Sequence, residues 1–80
     1  MKRIEEGEKF LYSLGFKIVR MRDYNQLVKI EVYKDEIKKL LKFKDKIVKK
    51  MKKLGYKYIT IDLEEYRTGS MNEILKRGRL

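Results

Sequence analysis

The 80-residue chain contains no cysteine, no histidine, no proline and no tryptophan. Without cysteine there are no disulfides, and the two commonest soft metal ligands are absent. The same absences exclude a Cys or His nucleophile, a histidine general base and a redox thiol. No run of about 18 apolar residues occurs, which argues against a membrane span. The opening Met1-Lys2-Arg3-Ile4-Glu5-Glu6 is too acidic for a signal peptide, so a cytoplasmic location is expected. A chain this short buries only about 60% of the surface that it exposes when unfolded, so one small domain over residues 1–80 is expected.

Positive charge, by contrast, is abundant. Twenty-two Lys and Arg face 12 Asp and Glu, a net charge of +10. Such a balance favours acidic partners and nonspecific nucleic-acid binding. Ten lysines crowd Lys34 to Lys53 against Asp35, Glu36 and Asp45. A lysine run lacking arginine more often means a solvated helix face than a nucleic-acid patch. Abundant Lys, Glu, Ile and Tyr, with no Ala, point to a thermophile.

Hydrophobic spacing organises the chain. Ile4, Gly7, Leu11 and Leu14 share one helical face, and Gly15 stands where a left-handed residue stops a helix. "FKIVRMRDY" alternates as a strand, Asp23-Tyr24-Asn25 suits a turn, and "QLVKIEVY" alternates again, predicting a hairpin. From Asp35 the period becomes helical through Ile37, Leu40 and Leu41, then Ile47, Val48, Met51 and Leu54. Lys44 falls where the apolar stripe should continue, so a bend is expected near Phe43–Lys44. Gly55 ends this helix, and "YKYITIDL" reads as a third strand.

The order α-β-β-α-β predicts a small α+β domain, with a three-stranded mixed sheet and helices packed on one face. It is similar to a split βαβ unit lacking its first strand. A right-handed crossover makes the second and third strands parallel. A missing fourth strand leaves exposed edges, and such edges pair or are covered, so a homodimer or a tight complex is expected.

Alternation also sorts the faces. Val19, Met21, Val28, Ile30, Val32, Ile59, Ile61 and Leu63 form the helix-facing side. The open side collects Arg20, Arg22, Lys29, Glu31, Tyr58, Thr60 and Asp62, with Phe16 and Ile18 making one end apolar. Two arginines at period-two spacing lie side by side, suited to gripping one phosphate or carboxylate. Further on, Ser70-Met71-Asn72-Glu73 fits a capping box, and the Gly69-Ser70 turn offers N–H groups to an anion. Tyr66 and Arg67 lie beside it and support the same face.

"LGFKIVRMR", "VKIEV" and "LGYKYITIDLEEYRTGSMN" resemble the C-terminal part of LarE-type proteins. These are ATP-dependent sacrificial sulfur transferases of the PP-loop ATP pyrophosphatase superfamily. The resemblance spans about residues 4 to 75, in order and spacing. It implies a part in sulfur transfer during biosynthesis of the nickel-pincer nucleotide cofactor. It further implies that Arg20 and Arg22 hold a substrate phosphate, and that Glu31 lies near the active centre or a metal.

The departures are as informative. The ATP loop Ser-Gly-Gly-x-Asp-Ser is absent, no cysteine is available to give up sulfur, and Glu65 replaces a family glycine. Asp23-Tyr24 stands where the family has a histidine-rich pair. The resemblance therefore implies a substrate-side and oligomerisation domain, not catalytic alone and binding no cofactor alone. The chain is then a stand-alone or excised domain, and ATP and Mg would come only through a missing PP-loop catalytic domain or protein. The rival reading is a small basic nucleic-acid-binding module; a third is a purely structural dimerisation domain.

Overall fold

The computed structural model describes residues 2–64. Helix α1 (Lys2–Ser13) is followed by strands β1 (Val19–Tyr24) and β2 (Leu27–Val32). A 3-10 turn at Lys34–Glu36 leads into α2 (Ile37–Lys42), α3 (Lys44–Lys53) and β3 (Tyr58–Ile61). The sheet order is β1-β2-β3, with β1 antiparallel and β3 parallel to the central β2. The α-β-β-α-β order and the mixed sheet are those that the alternation and the crossover rule dictate.

Local chemistry sets the boundaries. Gly15 and Gly55 take φ of 98° and 107°, which cost little without a Cβ and let each helix turn into a strand. Asn25 holds the hairpin turn at φ 73°, its N–H bonded to Oδ1 of Asp23 at 2.7 Å. The bend anticipated near Phe43 is present. Phe43 leaves helical geometry (φ −96°, ψ 19°), yet its N–H bonds Lys39 and its carbonyl accepts from Ile47. A straight helix would carry Lys44 inward after Leu40; the bend brings Ile47 and Met51 to the core instead.

The core joins Leu11, Leu40, Ile47 and Met51 from the helices to Val19, Met21, Val28, Ile30 and Val32 from the sheet. Phe16 and Tyr56, which precede β1 and β3, complete it. Phe16 is therefore not an apolar end of the open face. It lies before the strand begins, where alternation no longer fixes its side, and Lys39 caps its ring with Nζ 5.2 Å from the centre. Leu63 likewise departs from expectation. β3 ends at Ile61, and Leu63 is 79% exposed.

The β1 edge is closed rather than bare. Glu8 on α1 accepts the N–H of Met21 at 3.0 Å, and the hydroxyl of Tyr12 accepts that of Val19 at 3.3 Å. One turn of helix separates these two side chains, so they meet alternate outward N–H groups of the strand. The expectation of two unprotected edges is thus corrected at β1. Among the described residues no helix is long and apolar enough to cross a membrane.

Candidate functional site

The sheet register lines up the charged face. Arg20 lies opposite Glu31, Arg22 opposite Lys29, and Lys29 opposite Thr60. Residues directly opposite share a face, so Arg20, Arg22, Lys29, Glu31 and Thr60 stand together, with Asp62 following on from β3. The sequence-predicted cluster is therefore assembled as far as Asp62. Gly69, Ser70, Tyr66 and Arg67, with the capping box, lie outside the described residues.

A chain of ion pairs crosses this face. Nε of Arg22 meets Oε2 of Glu31 at 3.2 Å, and Nζ of Lys29 meets the same oxygen at 3.6 Å. Lys29 also reaches Oδ2 of Asp62 at 3.6 Å. Glu31 is only 7% exposed, so its charge depends on these cations. Arg22 remains 45% exposed, which leaves much of its guanidinium facing outward. Thr60 is occupied locally, its hydroxyl donating to the Val28 carbonyl at 2.9 Å. Among the described residues no three acidic side chains gather to hold a metal, and Glu31 serves as countercharge to Arg22 and Lys29.

Beside the arginines runs an open groove of about 660 Å³, lined by Arg20, Arg22, Tyr24 and Asn25 together with Arg3 and Asp23. Arg3 arrives from the start of α1, a contribution that sequence spacing does not reveal. Its Nη2 donates to both oxygens of Asp23 at 2.9 Å and to the Asn25 carbonyl at 2.9 Å. Its guanidinium carbon lies 4.1 Å from the centre of the Tyr56 ring, a cation–π stack. Tyr56 in turn donates its hydroxyl to Oδ2 of Asp23 at 2.9 Å.

These contacts tune both acids. Burial alone would raise the Asp23 carboxyl, but the Asn25 N–H, the Tyr56 hydroxyl and the Arg3 guanidinium together hold it below the usual carboxylate value. Burial, reinforced by the bond to Asp23, pushes the Tyr56 phenol up to about 12. The result is a fixed wall to the groove: Arg3 is committed to Asp23, while Arg20 and Arg22 also line the same space.

No family model matches the chain. It is 37% identical over 78 residues to the pyridinium-3,5-bisthiocarboxylic acid mononucleotide synthase of Lactiplantibacillus plantarum, covering 98% of this chain and 28% of that protein. An uncharacterized protein of Methanocaldococcus jannaschii is 41% identical over 68 residues, 85% of this chain and 27% of the relative. An uncharacterized protein of Synechocystis is 29% identical over 79 residues, 96% of this chain and 30% of the relative. The chain thus spans less than a third of the length of the curated relatives that it matches.

Proposed function

Since the chain matches a piece of a LarE-type protein, we propose that it is the substrate-side domain of a sulfur transferase in nickel-pincer cofactor biosynthesis. In this reading Arg20 and Arg22 grip the phosphate of a mononucleotide, with Gly69 and Ser70 adding N–H donors. Lys29, Glu31, Thr60 and Asp62 form the charged floor behind them, and Tyr66 and Arg67 flank the site. The observation that carries the reading is the register placing both arginines on one face beside an open groove, within a segment matching a mononucleotide synthase.

The chemistry follows from the residue types. Arginine presents a rigid fork of donors that matches phosphate geometry. Glu31 meets Arg22 at Nε, and in this reading the outer nitrogens of the guanidinium are the donors offered to the phosphate. The chain has no cysteine to donate sulfur and no ATP loop. In this reading adenylylation and sulfur donation belong to a PP-loop catalytic domain or protein, which would bring ATP and Mg. Association with that partner, or with a second copy of this domain, is part of the proposal.

The test is a calorimetric titration with a phosphorylated nicotinate-type nucleotide, run on the chain alone and on its complex with a PP-loop protein. Each charge-assisted bond is worth about 1.5–3 kcal/mol, so Arg20→Ala with Arg22→Ala should weaken binding roughly a hundredfold or more. The melting curve of the same variant should also fall, because buried Glu31 loses one of its two cations, so affinity is read at a temperature where the variant is folded. Unchanged affinity in the folded double variant defeats the proposal.

A further inference from the structure

A second basic surface lies away from the arginine groove, between α1 and α3. Phe10 of α1 packs against the core with one side and forms the floor of two open grooves with the other. The first, of about 230 Å³, is lined by Phe10 with Lys46, Lys49, Lys50 and Lys53. The second, of about 400 Å³, is lined by Phe10 with Lys9, Lys50, Ser13 and one acid, Glu6.

Lys46, Lys49, Lys50 and Lys53, four of the six lysines of α3, recur at helical spacing along one side. None of them forms a salt bridge with a carboxylate among the described residues. Two instead stand over aromatic rings. Nζ of Lys50 lies 5.9 Å from the centre of Phe10, and Nζ of Lys46 lies 5.8 Å from that of Phe43. Each of these two rings thus has an α3 ammonium beside it. Phe43 stands within the lysine run in sequence; folding adds a second ring, Phe10, from α1.

We infer that this surface binds single-stranded nucleic acid, with phosphates on the α3 lysines and a base against Phe10. The occupant must supply repeated negative charge and flat apolar surface between the charges, which is the repeat of an unpaired strand. Lysine is a point charge on a flexible stem without the planar fork of arginine, so the contact is sequence-tolerant. An acidic protein segment would answer to the charge alone and would make no use of the rings. This surface does not include Arg20 or Arg22, so it stands or falls independently of the mononucleotide site.

The experiment is fluorescence anisotropy of the full chain with a labelled oligothymidylate across a salt series, with a labelled polyglutamate as the comparison. Affinity for the oligothymidylate should fall linearly with salt on logarithmic axes, and Lys49→Gln with Lys53→Gln should reduce that slope by about 1.4. Phe10→Leu keeps an apolar side chain but removes the ring face. It should weaken binding about five- to tenfold and leave the slope unchanged. Should Phe10→Leu fail to fold, as its melting curve would reveal, the lysine variant and the polyglutamate comparison still decide the matter. Polyglutamate bound as tightly as oligothymidylate overturns the inference in favour of an acidic protein partner. A slope unaffected by the lysine changes, or unchanged affinity in folded Phe10→Leu, overturns it as well.

Discussion

The hydroxyl of Tyr56 donates to Oδ2 of Asp23 at 2.9 Å, joining residues 33 positions apart. The same carboxylate receives Arg3 from α1 and the N–H of Asn25 in the hairpin turn. One acid thereby ties the first helix, the β1–β2 turn and the approach to β3. The phenol holds its proton more tightly here: burial, then the bond to Asp23, raises its pKa from 10.0 to about 12. A raised phenol stabilises the fold fully below its unfolded value, and that contribution is lost as pH rises through the folded value. Denaturation between pH 10 and 12 should therefore show stability declining on the order of 2 kcal/mol. Tyr56→Phe should remove that part of the alkaline slope, and ultraviolet titration should show a phenol ionising near pH 12 that the variant lacks.

Asp23 carries the opposite sign. Its folded pKa is depressed, so its contribution is present above the unfolded carboxylate value and disappears as pH falls through the folded one. Asp23→Asn should cost about 1–3 kcal/mol in urea denaturation at neutral pH, since it loses the ionic bonds to Arg3 and misaligns the donors around it. The gap between variant and parent should narrow in acid. A constant gap across that range would mean that the carboxylate charge is unimportant.

Much of the fold was legible because its signals are local and periodic. Gly15 and Gly55 mark helix ends, Lys44 betrays the bend at Phe43, and strict alternation assigns Val28, Ile30 and Val32 to the core. The charged face was legible for the same reason, since parity alone groups Arg20, Arg22, Lys29 and Glu31. Arg3 was not, because a polar contact 20 residues long leaves no period to read. Glu36 escaped similarly: within an acidic turn it looks solvated, yet it is 6% exposed and accepts the N–H of Lys17 with both oxygens, at 3.0 and 3.3 Å. Phe16 and Leu63 were misassigned where alternation was extended past the true strand ends.

Gly7 fits α1 closely against the sheet. A Cβ there would collide with the sulfur and methyl of Met21, which is itself only 3% exposed. Gly7→Val should therefore lower stability by about 1–3 kcal/mol through overpacking. The combined variant Gly7→Ala with Met21→Ala should recover part of the loss expected from adding the two single effects. Thermal melts of all the variants check this coupling.

Glu8 and Tyr12 close the β1 edge with side-chain oxygens. Glu8→Leu with Tyr12→Phe should strip both acceptors and leave strand N–H groups without partners. Self-association should then appear in sedimentation velocity at concentrations where the parent chain shows none of that species. An unchanged sedimentation profile would show that the helix backbone alone shields the edge.

That closure gives the sheet a direction of growth. A strand contributed by further chain, by a copy or by a catalytic partner meets a finished border at β1, where a helix already stands in for the missing neighbour. Among the described residues no strand lies beyond β3, so extension is left to that side. Any larger architecture built on this unit is then asymmetric from the outset, with the arginine groove beside its closed end.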